Sequence, residues 1–181
     1  MVSVTRRLLL LALLLPALSA IAQSAGREAE VKIKAAFLYK FGDFVEWPPN
    51  ALERSGASFT IGVLGADDIA AELERVVAER TIKGRPVSVR RIRRGDSLAN
   101  LHMLFVGRSE SLRLGEIMSA TDGQPVLTVT ETENALASGS MINFIAVDDK
   151  VRFDVALAPA GRGQLKISAR LLAVARKVVA A

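Results

Sequence analysis

Six residues decide the fold class of this chain: His102-Met103-Leu104-Phe105-Val106-Gly107. The run from His102 to Val106 is short and apolar and ends at a glycine, which is typical of a strand buried on both faces of a sheet. The spacing of Leu112, Leu114 and Ile117 predicts a helix directly after this strand. The segment therefore indicates an α/β arrangement, in which strands alternate with helices.

The same alternation continues on both sides of this segment. Residues 27–46 carry apolar side chains at three- and four-residue spacing, which predicts an amphipathic helix ended by Trp47-Pro48-Pro49. A second helix is predicted to start at Asp67 or Asp68, either of which can cap it, and to run to about Arg80. The other predicted elements are strands at 59–64, 87–92 and 125–129 and a short helix at 132–137 that Gly139 stops.

The carboxyl-terminal part changes to two β-rich runs. Residues 141–147 and 151–157 are separated by Asp148-Asp149-Lys150, which is typical of a β-hairpin. In the second strand, apolar residues alternate with Arg152 and Asp154, so one face should pack inward and the other should meet water. A final helix, capped by Ser168, is expected to carry four apolar side chains inward: Leu171, Leu172, Ala175 and Val178. The sequence predicts a single α/β domain with a mostly parallel sheet, an antiparallel carboxyl-terminal hairpin and helices on both faces.

The amino-terminal residues have the pattern of a secretory signal peptide. Arg6 and Arg7 precede a leucine-rich run at 8–18, which is too short to cross a bilayer of roughly 30 Å as a helix. Ala20 and Ala22 fit the small-residue rule of signal peptidase, so we expect cleavage after Ala22 and a periplasmic mature protein. The alternative is a permanent amino-terminal anchor. The expected division is a signal peptide at 1–22 and an α/β domain at 23–181.

Composition excludes several classes of function. The formal net charge is +5, and removing Arg6 and Arg7 leaves +3, which is too small to predict nucleic-acid binding. The chain has no cysteine, so disulfides and thiolate metal sites cannot stabilise it. After cleavage no segment approaches the roughly 20 apolar residues that a transmembrane helix needs, so no membrane span is expected.

Residues that carry catalysis or bind metals are nearly absent. His102 is the one histidine, and at the start of an apolar strand we expect it to be structural rather than a general base. The pairs Asp67-Asp68 and Asp148-Asp149 lack the spacing of a calcium loop and are better explained by capping and turn formation. The basic cluster Arg90-Arg91 and Arg93-Arg94 is interpreted as a solvated strand end. We therefore predict no catalytic residue, no metal site, no cofactor and no enzymatic activity.

Short motifs occur in one order along nearly the whole mature chain. The opening motif, at 31–41, is Val-Lys-Ile-Lys-Ala-Ala-Phe-Leu-Tyr-Lys-Phe and leads to Phe44-Val45-Glu46-Trp47-Pro48. The later motifs are Phe59-Thr60-Ile61-Gly62-Val63-Leu64-Gly65, Gly84-Arg85-Pro86-Val87, His102-Met103-Leu104-Phe105-Val106-Gly107, Pro125-Val126-Leu127-Thr128-Val129, Gly139-Ser140-Met141-Ile142-Asn143-Phe144, Val151-Arg152-Phe153-Asp154-Val155 and Leu165-Lys166-Ile167-Ser168. In this combination the chain resembles the YfiR family of periplasmic regulators.

The resemblance implies a regulator that acts by binding. It implies repression of an inner-membrane diguanylate cyclase of the YfiN type through the periplasmic sensory domain of that cyclase, and it suggests a homodimer. Trp47 is a candidate partner contact, because an aromatic residue beside Pro48-Pro49 is often only partly buried. The alternative is that Trp47 plugs the edge of the core. Relatives commonly carry a cysteine where this chain has Leu101, so redox control through a disulfide is not expected here.

Two other function classes stay open. A small-ligand binding module would need an enclosed pocket with converging polar groups. One candidate anion site is the start of the final helix, where Lys166 and Arg170 flank Ser168, although Ser168 can equally serve only as a cap. An unrecognised hydrolase would need His102 within hydrogen-bond reach of a serine and a carboxylate.

Overall fold

The structure of the protein is a computed structural model that describes residues 3–54 and 57–180, with side chains at 24–53 and 57–180. The predicted signal peptide and its cleavage site lie outside the residues whose side chains are described. The helices are α1 (Ser3–Phe44), α2 (Pro49–Arg54), α3 (Asp67–Val77), α4 (Leu114–Thr121), α5 (Leu157–Arg162) and α6 (Ala169–Val174), and a 3-10 helix spans Arg108–Arg113. The strands are β1 (Val45–Glu46), β2 (Phe59–Leu64), β3 (Thr81–Ile82), β4 (Arg85–Ile92), β5 (Met103–Val106), β6 (Leu127–Thr130), β7 (Ile142–Val147), β8 (Lys150–Ala156), β9 (Lys166–Ile167) and β10 (Lys177–Val179).

Eight strands form one sheet in the order β10-β8-β7-β6-β5-β2-β4-β3. Its neighbours are parallel except in the β7–β8 hairpin and the β3–β4 pair. Strand β2 lies between β4 and β5, where Ile61 is opposite Val89 of β4 and Met103 of β5. A separate two-stranded sheet joins β1 to β9. The predicted α/β domain with a mostly parallel sheet and an antiparallel hairpin is confirmed.

Helices cover both faces of the sheet. Alternate residues of a strand point to opposite faces, and in β5 the side chains of Met103 and Phe105 join one hydrophobic core while Leu104 and Val106 join another. The first core is covered by α1 and α3, and the second by α4. The apolar run at 103–106 is therefore continuous because both of its faces are buried. Among the described side chains, no helix is long and apolar enough to cross a membrane.

The hairpin has the predicted strands and the predicted inner face. Asp148 and Asp149 both have positive φ, 49° and 56°, as the two central residues of a type I′ turn require. Phe153 is buried opposite Phe144, whereas Arg152 is exposed. Asp154 is buried instead of meeting water, because both of its carboxylate oxygens accept hydrogen bonds from Arg176.

Besides the burial of Asp154, three local predictions are wrong. The segment at 132–137 consists of turns rather than a helix. Helix α3 begins after Ala66, and no aspartate side chain caps it, since Asp68 instead accepts a bond from the neighbouring Ile69 amide. The last helix ends at Val174, and Val178, predicted to point inward, lies exposed on edge strand β10.

Candidate functional site

The carboxyl ends of β2, β5 and β6 meet at one edge of the sheet. The chain adds β4 on one side of β2 and then returns to place β5 on the other side, and such a reversal is where open α/β sheets usually bind ligands. Here the turns after β2 and β5 touch, because the Ser109 hydroxyl donates to the Gly65 carbonyl oxygen at 2.9 Å. A Cβ on Gly107 would lie 2.4 Å from the same carbonyl oxygen. The turns fill the bottom of the crevice, and a recess of about 460 Å³ remains beside α1.

Four charged side chains form what we name the Lys34 cluster: Glu30, Lys34, Arg108 and Glu131. Lys34, on α1, is 3% exposed, and its Nζ donates to both Glu30 and Glu131. The Arg108 backbone amide donates to Glu131 Oε1 at 3.2 Å, and its guanidinium lies 3.6 Å from Glu30. A buried ammonium group is tolerated only when carboxylates compensate its lost hydration. The cluster therefore fastens α1 to the carboxyl edge of the sheet.

The direction in which the pKa of Glu30 shifts indicates a structural role for this carboxylate. Burial acts to raise the pKa of Glu30, but the hydrogen bond and charge of Lys34, with the charges of Arg108 and Arg27, outweigh it and lower that pKa. Glu30 is then ionised at neutral pH and is already engaged by Lys34. A general base works best with a pKa near the operating pH, so Glu30 is poorly suited to proton transfer. Across the described side chains, no group of three or more His, Asp or Glu could hold a metal ion.

His102 is buried, with 1% of its surface exposed, and stacks on Phe59 at a centroid distance of 4.6 Å. Its Nδ1 accepts a hydrogen bond from the Thr60 backbone amide at 2.9 Å, while Nε2 has no partner among the described side chains. Burial, and to a smaller extent the charge of Arg85, lower the pKa of His102 to about 4. The imidazole is therefore neutral at neutral pH, and the serine and carboxylate that a hydrolase would place on it are not hydrogen-bonded to it. This agrees with the structural role predicted for it.

Trp47 lies at the edge of the core and is 7% exposed. Its indole Nε1 donates to the His102 carbonyl oxygen at 3.0 Å, and its ring meets Phe59 edge-on at 5.0 Å. The structure thus supports the second of the two interpretations from the sequence, in which Trp47 plugs the core. The prolines after Trp47 do not expose the indole, because its ring packs on Phe59 and its Nε1 is bonded to the His102 carbonyl oxygen.

The residues of the predicted anion site flank the start of α6: Lys166 lies on β9, Ser168 precedes the helix and Arg170 is in its first turn. Ser168 is the N-cap, and its hydroxyl accepts from the Leu171 amide at 3.3 Å. The Ser168 carbonyl oxygen accepts from Leu171 and Leu172. Lys166 and Arg170 are exposed. The backbone of Lys166 lies opposite that of Glu46 in the ladder between β1 and β9. The helix is only six residues long, so its first turn offers little field for an anion, and capping accounts for Ser168.

A cavity of about 620 Å³ lies beside α4, on the face of the sheet opposite α1, and sequence reasoning missed it. We name it the α4 cavity. Its walls are α4 and the loop at 93–101 that follows β4. The signal that could have pointed to it was the pair Arg93-Arg94 next to apolar Leu98 and Leu101, which is unusual for a solvated loop. The basic cluster is also divided, because Arg91 pairs with Glu74 of α3 on the other face.

Comparison with known proteins agrees with the motifs found along the sequence. A family model described as YfiR/HmsC-like matches residues 31–176, from the buried half of α1 to the residue before β10. No curated protein matches the chain significantly. Since the family match covers most of the chain, the protein belongs to the YfiR/HmsC-like family, which supports a role as a periplasmic regulator of cyclic di-GMP signalling.

Proposed function

We propose that the protein represses an inner-membrane diguanylate cyclase by binding the periplasmic domain of that cyclase. The observation that carries the proposal is the family match over residues 31–176, which includes both cores and the whole β7–β8 hairpin. Repression then requires the protein to bind one conformation of the cyclase's periplasmic domain more tightly than another. A bound protein shifts the equilibrium between two conformations only by the difference between its affinities for them. The cyclase output falls as the inactive conformation becomes more populated.

The proposal requires export of the chain. We propose that residues 1–22 are a signal peptide cleaved after Ala22, so that the mature protein begins at Gln23 in the periplasm. Intact mass of the protein released by osmotic shock should correspond to a chain that starts at Gln23. A mass that includes Met1, found in the membrane fraction, would contradict both the cleavage and the location.

The surface that best fits a protein partner is the free edge of the sheet at β10. Two apolar side chains of β10 are exposed, Val178 (40%) and Val179 (37%), and Val174 (66%) is exposed at the end of α6 shortly before this strand. Strand β10 pairs only with β8 among the described strands, so its other side presents unpaired backbone groups. An exposed edge with apolar side chains is a common docking place for a strand of another protein. We name this surface the β10 edge and propose it as the contact with the cyclase.

Gene deletion tests the regulatory function. In a strain that carries a suitable cyclase, deleting the gene should raise cyclic di-GMP and surface attachment, and a plasmid copy should restore both. A tagged periplasmic copy should co-purify the cyclase. Unchanged cyclic di-GMP after deletion, in a strain shown to express that cyclase, would contradict repression.

Two matched substitutions test the surface. Val178→Asp places a charge on the β10 edge, whereas Leu112→Asp places one on the fully exposed Leu112 of the 3-10 helix, far from β10 in the strand order. We expect Val178→Asp to lose co-purification and repression while Leu112→Asp keeps both, with circular dichroism showing that both variants fold. Full repression by the Val178→Asp variant would show that the contact with the cyclase does not lie on the β10 edge.

A further inference from the structure

The α4 cavity is built like a ligand site rather than a packing gap. At about 620 Å³ it falls inside the range of roughly 300–1,000 Å³ that is usual for small-molecule pockets. Its floor consists of buried apolar side chains: Leu64, Ile92, Leu101, Ile117 and Val126. These five residues come from two strands, two loops and α4, so several elements of the fold build the floor together. An apolar body resting on this floor would complete the burial of these side chains.

The rim of the α4 cavity carries three arginines, and their charges are not equally engaged. Arg113 is neutralised by Glu116, which accepts two hydrogen bonds from it at 3.1 and 3.0 Å. Among the described residues, no carboxylate accepts a hydrogen bond from the side chain of Arg93 or Arg94. Arg94 acts on Glu116 only through its charge, which makes a small contribution to the lowered pKa of that carboxyl group. Asp96 is engaged by the Arg93 backbone amide at 2.8 Å. Two guanidinium groups are therefore left to meet an anion.

The loop that carries Arg93 and Arg94 is held in place from the sheet. Arg90, on β4, donates from Nη2 to the carbonyl oxygens of Ser97 and Ala99 at 2.7 and 3.3 Å. The Ser97 hydroxyl in turn accepts from the Ala99 amide at 3.1 Å. These bonds fix the wall of the cavity before any ligand arrives, which reduces the entropy lost on binding.

We propose that the α4 cavity binds a small organic carboxylate whose apolar body lies on the floor and whose carboxylate meets Arg93 and Arg94. A guanidinium pairs with a carboxylate through two parallel hydrogen bonds, so adjacent arginines favour this anion in a fixed orientation. The floor selects against small hydrophilic anions, since these would leave apolar surface in contact with water. Binding is a property of the purified protein and needs no cyclase, so this proposal and the proposed repression fail independently.

Calorimetric titration of the purified mature protein tests the site with simple probes. Sodium 3-phenylpropionate supplies the apolar body and the carboxylate, the neutral 3-phenylpropionamide lacks the charge, and acetate lacks the body. We expect saturable one-to-one binding of 3-phenylpropionate, binding of the amide weaker by about tenfold or more, and no measurable binding of acetate. Raising the salt concentration should weaken the carboxylate more than the amide.

Variants locate the binding in the molecule. Replacing both Arg93 and Arg94 (Arg93→Gln with Arg94→Gln) should weaken the binding of 3-phenylpropionate by about tenfold or more. The double variant should then bind the acid no more tightly than the amide. Ala120 is exposed and lines the cavity, so Ala120→Trp should fill the space and abolish binding of both probes without unfolding the domain. Arg152→Gln, on the exposed face of the hairpin, is the matched control and should bind as the unmodified protein does.

Three outcomes would overturn the proposal: no saturable binding of 3-phenylpropionate, equal affinity for the acid and its amide, or unchanged binding by the rim variant or by Ala120→Trp. Thermal unfolding of each variant checks that it is folded. If the tryptophan variant is unfolded, Ala120→Leu gives the same test with a smaller side chain.

Discussion

His102 should make the protein less stable as the pH falls from 7 towards 4. Its pKa is about 4 in the folded protein, against 6.5 for the exposed side chain, because burial disfavours the charged imidazolium. Between these two values the unfolded chain binds a proton at His102 and the folded protein does not. The stability contributed by neutral His102 is therefore complete above about pH 6.5 and is lost as the pH falls through the window down to about 4.

The size of this effect follows from the two pKa values. Proton linkage at one group with these values lowers the free energy of unfolding by about 2 kcal/mol between pH 7 and pH 5, and by about 3 kcal/mol by pH 4. Folded domains of this size have roughly 5 to 15 kcal/mol in total, so the loss is a substantial fraction. The hydrogen bond from Thr60 strengthens the argument. Nδ1 accepts from the Thr60 amide, so the neutral ring carries its proton on Nε2, and a second proton on Nδ1 would displace that hydrogen bond.

Urea unfolding at pH 7, 6 and 5 measures the effect, with circular dichroism as the signal and the one tryptophan, Trp47, as a local fluorescent probe. His102→Asn keeps an acceptor for the Thr60 amide but does not titrate. It loses the stacking on Phe59, so its stability will be lower at every pH. The comparison is therefore the slope: the unmodified protein should lose about 2 kcal/mol more than the variant between pH 7 and pH 5. Equal slopes would refute the argument, because carboxylates common to both proteins would then explain the whole pH dependence.

Two further pairs of substitutions test the cores. Phe153→Ala should cost roughly 3 to 5 kcal/mol, because its ring is buried and meets two other rings at 5.1 and 5.5 Å, whereas Arg152→Ala should cost much less. Denaturant midpoints measure both, and a reversed order would mean that the strand faces are assigned wrongly. Lys34→Met should cost about 3 kcal/mol or more, because the partly buried Glu131 would lose the cation that compensates its lost hydration, while the exposed Lys32→Met should change little. Equal losses for the two lysine variants would show that the Lys34 cluster does not fasten α1.

The strands of the central sheet were predictable because their pattern is set locally. The observed β2 has the bounds that the sequence predicted, and β5 begins one residue after His102. Both are rich in apolar residues and end near a glycine, which is typical of a buried parallel strand. The hairpin was predictable for a different reason: two adjacent aspartates tolerate the positive φ that its turn needs.

The carboxyl terminus was not predictable, since tertiary pairing overrides its local pattern. The residues from Leu171 to Val178 have helical spacing, yet the helix stops at Val174 and Val178 pairs with Val155 of β8. The Arg176 amide donates to the Phe153 carbonyl oxygen, and its guanidinium binds Asp154. These contacts join residues about twenty positions apart, so no short window of sequence contains them. The same holds for Trp47, whose burial depends on the distant His102 carbonyl group.

The two faces of the sheet also differ in how tightly they are packed. Under α1, four aromatic rings meet at centroid distances of 5.1 to 6.0 Å: Phe37, Phe41, Phe144 and Phe153. The described residues packed under α4 form a smaller, aliphatic core, and the loop at 93–101 covers part of that face in place of a helix. A loop anchored on a rigid sheet can change its side chains at little cost to the fold. The α1 face therefore fixes the structure, and the α4 face is the one on which a ligand site can be varied.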